Sequence, residues 1–262
     1  MHNLLAGKKG IIMGIANNRS IASSIAQCFE REGATIGYSF LPDNTGKMEG
    51  RIRKALEGQN IDFLEPCDVT NDAMLSDFFT KAQKHFGKID FLIHSIAYAP
   101  LDELRKNTLE ASRQGFLQSM DASVYSFIAT AKQASAIMNP EGSIITLSYY
   151  GAEKVVEGYN LMGLAKAALE CAVRYAAFEL GPNNIRVNSI SAGAIKTLAS
   201  SAIGNFNSML DWSAKVAPLK RTVRSEEVAN AALFLTSHLA SGLTGENIHV
   251  DCGYSSVSTI RV

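Results

Sequence analysis

Gly10-Ile11-Ile12-Met13-Gly14-Ile15-Ala16-Asn17-Asn18-Arg19-Ser20-Ile21-Ala22 is the stretch whose reading decides the fold. A short apolar run meets a glycine, passes through a polar turn and enters Ile21–Arg31, where apolar residues recur at helical period. A buried strand that turns straight into a helix is the first half of a βαβ unit. Gly14 permits a tight turn and Ser20 is expected to cap the helix. The N–H groups of the first helical turn, beginning at Ile21, suit a pyrophosphate. The motif is shorter than GxGxxG, and an ordinary βα turn with a capping serine has the same sequence.

Working outward, short apolar runs at Gly10–Met13, Thr35–Phe40, Ile61–Leu64, Phe91–His94, Ser143–Leu147, Arg186–Ile190 and Ile248–Val250 read as seven buried strands. Helix-period segments lie between them at Ile21–Arg31, Ala73–His85, Gln114–Met138, Asn160–Leu180 and Glu226–Ser237. No repeat or Pro/Gly/Ser-rich linker interrupts this alternation. The expectation is an α/β fold over residues 1–262: a single domain with a Rossmann-type, doubly wound parallel sheet. Ligands of such sheets bind beyond the carboxyl ends of the strands.

The 25 basic and 25 acidic residues cancel, which argues against a nucleic-acid or anionic-membrane footprint. No run is long enough for a membrane span, and the N-terminal apolar stretch is too short for a signal peptide, so a cytoplasmic location is expected. Cys28, Cys67, Cys171 and Cys252 stand far apart, and neither a metal site nor a disulfide framework is expected.

The strand ends carry the next signals. Asp68 and Val69, after the third strand, are placed to meet an adenine ring, the carboxylate accepting its amino group; a helix N-cap is the equal alternative for Asp68. Ser95, Ile96 and Ala97 follow the fourth strand, where small residues let a dinucleotide approach the backbone. His94 reads as a hydrogen-bonded strand-end histidine rather than a catalyst.

Two tyrosine-lysine pairs compete, Tyr150 with Lys154 and Tyr159 with Lys166. Val155-Val156-Glu157-Gly158 is a poor helix start, whereas Leu164-Ala165-Lys166-Ala167-Ala168-Leu169-Glu170 is strongly helix-forming. Residues seven apart share a helix face, about two turns or ~10 Å apart along the axis. Gly163, between them on that face, reads as room for a ligand. A phenol at one end and an ammonium at the other fit a proton donor near a substrate and a cation on ribose hydroxyls.

With these motifs in place the chain resembles the bacterial enoyl-acyl-carrier-protein reductases of the divergent short-chain dehydrogenase type. The resemblance runs from about Leu4 to Gly253. It rests on Gly14 through Ala22, His94 through Pro100, Leu147 through Glu153, Tyr159 through Ala167 and Arg186 through Gly193. Ordinary carbonyl reductases of this fold carry tyrosine and lysine four apart with an upstream serine; here Tyr149 takes the serine's place. The resemblance implies hydride transfer from NADH to a trans-2-enoyl thioester held on acyl carrier protein, in type II fatty acid elongation. Tyr159 would then hydrogen-bond the thioester oxygen, with Tyr149 as accessory. It further implies that Ser20, Ile21, Asp68, Val69, Ile96, Lys166, Ile195 and Thr197 line the cofactor, and that Ala99, Tyr149, Met162, Ile203 and Phe206 line an acyl pocket.

Three departures from the family pattern carry expectations of their own. Gly193-Ala194-Ile195 replaces a Gly-Pro-Ile sequence and loosens the loop over the nicotinamide; Leu41 replaces a polar ribose contact. No basic residue lies between Lys196 and Lys215, so docking of the carrier falls to Lys215, Lys220, Arg221 or Arg224. Thr197–Trp212, with Gly193 and Gly204 as hinges, reads as a mobile lid, the alternative being a fixed amphipathic helix. The alanines of Asn160–Leu180 suggest close helix contacts in a homotetramer. Absence of a cation between Tyr38 and Lys47 favours NADH over NADPH. Two rivals stay open at this point: a carbonyl reductase of the same fold, and a dinucleotide-sensing regulator without turnover.

Overall fold

The computed structural model describes residues 3–197 and 206–258. The elements follow in the order β1 Lys9–Met13, α1 Ile21–Arg31, β2 Thr35–Phe40, α2 Lys47–Ala55, β3 Phe63–Pro66, α3 Asp72–Phe86 and β4 Ile89–His94. Then come α4 Leu101–Leu104, α5 Arg113–Met120, α6 Ser126–Ala136, β5 Met138–Ser148, α7 Asn160–Leu180, β6 Arg186–Ala192, α8 Phe206–Val216, α9 Ser225–Thr236 and β7 Asn247–Val250. Every strand pairing is parallel, in the order β3-β2-β1-β4-β5-β6-β7. The expected seven-stranded, doubly wound sheet is what forms.

Two apolar layers explain why the strands read as unbroken hydrophobic runs. Side chains alternate along a strand, so Ile11 and Met13 join Phe78, Phe127, Leu169 and Val173 on one face. Ile12 joins Ile25, Phe29, Phe91, Val228 and Ala232 on the other. With both faces covered, apolar side chains predominate at both sets of positions, and the polar ones among them, such as His94 and Thr146, are hydrogen-bonded inside the sheet. Among the described residues, no helix is long and apolar enough to cross a membrane.

Four boundaries correct the sequence reading. The third strand begins at Phe63 rather than Ile61, because pairing runs from Gly37 with Phe63 to Phe40 with Pro66; a proline is tolerated there because β3 is an edge strand. The expected long helix Gln114–Met138 is divided by a π-helical turn, Asp121–Tyr125, and stops at Ala136. Met138 belongs instead to β5, whose extra length reaches back to pair with Ile89. Helix α2 was not foreseen, since only Ile52 and Ala55 of its nine residues are buried and its apolar stripe, Met48, Ile52 and Ala55, is short.

The strand order reverses between β1 and β4, and the chain leaves these neighbours toward opposite faces of the sheet. Such a switch point opens a crevice at the carboxyl ends of the strands. Gly14 and Ser95 stand directly at it.

Candidate active site

Gly14 has φ +95°, and a Cβ there would overlap the Ser95 carbonyl. Only glycine lets the first βα turn close against the end of β4, where Ser95 N–H donates to the Met13 carbonyl at 3.1 Å. Ser20 does not cap α1 as expected. Its hydroxyl turns back and accepts from the N–H groups of Ala16 and Asn17 at 3.0 and 3.1 Å, fastening the turn itself. The first N–H groups of α1, from Ile21 and Ala22, therefore receive no side-chain cap from Ser20.

At the β3 end, Asp68 Oδ1 accepts from the backbone and hydroxyl of Thr70 at 2.9 and 2.7 Å. The alternative role as an N-cap is excluded, because Asn71 caps α3 by accepting from Met74 N–H at 3.1 Å. Val69 is buried in the apolar layer that also holds Tyr159 and Met162, against which Ile96, Ala99 and Tyr149 pack. Residues read separately as cofactor and acyl contacts thus share the apolar layer on one face of the sheet. Ile21 and Ile195 pack on the opposite layer. Ile195 and Thr197 are both half-buried. Ile203 lies outside the described residues, as does half of the expected lid, residues 198–205, and Phe206 is placed only as the first residue of α8. Gly193, read as a hinge, is pinned: its N–H donates to the Val250 carbonyl at 2.9 Å, and a Cβ would stand 2.9 Å from Asp251 Cα.

The tyrosine–lysine pair expected to be catalytic sits at the start of α7. Tyr159 immediately precedes the helix and is buried; its ring meets that of Tyr149 edge-on, 4.7 Å between centroids. Tyr149 Oη donates to Met209 Sδ at 3.5 Å, which brings α8 onto the site. Desolvation raises both phenols above their ordinary range, so both keep their protons at neutral pH. Lys166 is buried, and its Nζ donates to the Leu147 carbonyl at 2.7 Å. Burial lowers it to about 8, against the opposing charge of Glu170. Gly163 does not leave room for a ligand as expected. A Cβ there would be 2.9 Å from the Gly151 carbonyl oxygen, so the glycine lets the turn after β5 press on α7. Gly151 in turn admits the Tyr159 ring, which a Cβ at 151 would overlap.

Tyr150 and Lys154, the competing pair, are kept apart from this. Tyr150 stacks edge-on with His249 and Tyr254, and Lys154 is exposed. His94 is fully buried between Thr146 Oγ1 at 3.1 Å and Ser126 Oγ at 3.0 Å, as a hydrogen-bonded strand-end histidine would be. The sequence reading missed Asn160, whose Nδ2 donates to the Leu104 and Lys106 carbonyls at 3.3 and 2.5 Å and so anchors α7 beside Tyr159. It also missed Glu170, which accepts from Ser148 Oγ.

Comparison with known proteins joins this geometry to a lineage. The family model described as enoyl-(acyl carrier protein) reductase matches residues 14–255. The chain belongs to this family. The enoyl-(acyl-carrier-protein) reductase (NADH) 1 of Rhizobium meliloti (strain 1021) is 51% identical, over 97% of this chain and 92% of its own length. The Rickettsia bellii (strain RML369-C) enoyl-(acyl-carrier-protein) reductase (NADH) is 46% identical, over 99% and 98%. Among solved structures, the Aquifex aeolicus VF5 enoyl-(acyl-carrier-protein) reductase (NADH) superposes with a TM-score of 0.94 at 42% identity, covering 98% of this chain and all of that one. The Bacillus cereus enoyl-acyl carrier protein reductase, solved with NADP+ and an indole naphthyridinone, gives 0.93 at 44%, covering 98% and 99%. Tyr159 and Lys166, seven residues apart, are both buried, one just before α7 and the other in its second turn.

Proposed function

We propose that the chain reduces the carbon–carbon double bond of a trans-2-enoyl thioester of acyl carrier protein, with NADH as reductant, in type II fatty acid biosynthesis. The observation that carries this reading is the Tyr149–Tyr159 ring pair, with Lys166 seven residues on, where a carbonyl reductase would have a serine and a spacing of four. The residues fit a dinucleotide by their donor chemistry. Helix α1 offers uncapped N–H groups at its start, and Lys166 commits one of its three donors to Leu147. Asp68 and Val69 would hold the adenine, Ser20 and Ile21 the pyrophosphate, Lys166 the ribose, and Ser95, Ile96, Ile195 and Thr197 the remainder.

NADH, when bound, supplies a hydride for the β-carbon. Tyr159, kept protonated by its burial, donates a hydrogen bond to the thioester oxygen as negative charge gathers there. The hydride and one proton at the α-carbon complete the saturated thioester. Lys166, held by the Leu147 carbonyl, orients the ribose and places positive charge behind the phenol. Tyr149 buttresses Tyr159 edge-on, and with Ala99 and Met162 it would line the acyl pocket.

Loss of NADH absorbance with crotonyl and acetoacetyl thioesters offered in parallel tests the proposal. Oxidation by the crotonyl substrate alone is expected. Oxidation by acetoacetyl alone would make the chain a carbonyl reductase, and oxidation by neither would favour the regulator.

Further parts of the reading follow. Glu227 engages Arg221 at 2.7 Å and Arg224 at 3.3 Å, so carrier docking falls mainly to Lys215 and Lys220. Helix α8 would close over the acyl chain, supported by its contact with Tyr149, and should gain protection from hydrogen exchange when substrate analogue and cofactor bind. Leu164, Tyr175 and Phe178 leave apolar surface exposed on α7, which supports a homotetramer testable by light scattering. Four unpaired cysteines accord with a cytoplasmic location.

A further inference from the structure

Helix α7 carries ionisable side chains at four-residue spacing, Lys166, Glu170 and Arg174, each one turn beyond the last on the same side. Arg174 is exposed, whereas Lys166 and Glu170 are only 6% and 8% accessible. The reaction as described does not use Glu170, and a carboxylate at that depth is costly unless something holds it. Ser148 Oγ, at the last position of β5, donates to Glu170 Oε1 in a short hydrogen bond. The preceding residue, Leu147, accepts from Lys166. Two successive residues of β5, immediately before Tyr149, are therefore tied to α7 by the two buried charges.

Glu170 also stands over a polar row of the sheet. Ser148, Ser191 and His249 are in register across β5, β6 and β7, and in-register neighbours project to the same face. Ser191 Oγ is buried without a hydrogen-bond partner. His249 Nε2 lies 2.8 Å from Glu153 Oε1, within ion-pair distance but outside hydrogen-bond geometry. The charged and titratable groups facing Glu170 are thus Glu153 from the turn after β5, His249 from β7, Arg174 from α7 and, just before α7, the Tyr159 phenol. Those facing Lys166 are Glu170 and, from β4, His94.

We propose that Glu170 is a positioning residue for the reductase reaction, a buried counter-charge anchored by Ser148 that keeps Lys166 protonated and aimed at the cofactor ribose. This rests on the reading of Lys166 as the ribose cation. Desolvation pulls Lys166 down to about 8 and Glu170 opposes it. Desolvation pushes Glu170 upward, opposed first by the Ser148 hydrogen bond. Removing the carboxylate charge therefore lets Lys166 lose its proton at lower pH, and NADH affinity should fall from a lower pH onward.

The test is NADH affinity by fluorescence titration between about pH 6 and pH 9, in wild type, Glu170→Gln, Glu170→Asp, Ser148→Ala and Lys166→Met. Glu170→Gln keeps the size and an acceptor for Ser148. It should move the onset of weakened binding down by about one pH unit and weaken affinity near pH 8 by up to about tenfold. KM for NADH should rise more than kcat falls. Glu170→Asp should recover part of the shift, and Ser148→Ala should shift the profile less, in the same direction. A Glu170→Gln profile superimposable on wild type, at an unchanged melting temperature, would overturn the proposal. Should Glu170→Gln not fold, unshifted profiles for Glu170→Asp and Ser148→Ala would do the same. Lys166→Met separates the two readings. If it leaves affinity and its pH dependence unchanged, the ribose assignment fails; if it removes the pH dependence while Glu170→Gln has none of the shift, only Glu170 is wrongly assigned.

Discussion

Tyr159 and Lys166 serve different ligands in the proposed reaction, and substitution should separate them. Tyr159→Phe should lower kcat by about a hundredfold or more, the range of a lost proton donor, with little change in NADH affinity. Lys166→Ala should weaken NADH binding as well, and Lys154→Ala should do neither. Steady-state kinetics with direct titration of NADH reads all three, and a crippling Lys154→Ala would put the site on the wrong pair. His94 makes a pH prediction. Burial first, then the charge of Lys166, lowers it to about 3, against about 6.5 in the unfolded chain. A depressed folded value means that its contribution is complete above about pH 6.5 and is lost as pH falls toward 3. The melting temperature should drop from pH 7 to pH 5 more in wild type than in His94→Gln. The helix that carries Lys166 and begins next to Tyr159 was legible in the sequence because its run is strongly helix-forming. Glu170 was not, since in Leu169-Glu170 it reads as a solvent-facing position; its burial comes from Ser148 and β6, far off in sequence.

At the scale of elements, close approach of backbones matters more than helix propensity. Gly163 lies inside α7, where alanine would ordinarily be favoured by about 1 kcal/mol. Its Cβ would stand 2.9 Å from the Gly151 carbonyl oxygen, a backbone atom that cannot swing away. Forcing them apart costs about 1–3 kcal/mol, and the displaced turn carries Tyr159 with it. Gly163→Ala should therefore lose both stability and turnover. Gly50, inside α2, has open space around it, so Gly50→Ala should gain about 1 kcal/mol at unchanged activity. Thermal melts of the two variants make the comparison. Long elements with a clean period were readable to the residue, as α1 and α7 were. The π turn at Asp121–Tyr125 was not, because a continuous helical pattern runs through it. Nor was the true use of Ser20, whose hydroxyl prefers two N–H groups of its own turn to those of the helix.

For the molecule as a whole, alternation of short and long apolar segments was enough to give a parallel sheet with helices on both faces, since few other arrangements bury all of them. Cofactor choice belongs to this scale, because it depends on what the second strand leads into. Leu41, just past β2, is 55% exposed, Asp43 is exposed too, and the first cation downstream is Lys47 at the start of α2. A 2′-phosphate would meet no adjacent cation, and kcat/KM should favour NADH over NADPH by about tenfold or more; a ratio favouring NADPH would mean that Lys47 or Arg19 reaches the phosphate. The strand order has a further consequence, for biogenesis. β1 pairs with β2 on one side and β4 on the other, so during synthesis β1 keeps an edge of unpaired backbone groups until His94 has been translated. Parallel pairing across such intervals is slow and leaves sticky intermediates. Refolding yield after dilution from denaturant should fall steeply with protein concentration and recover with an added chaperonin.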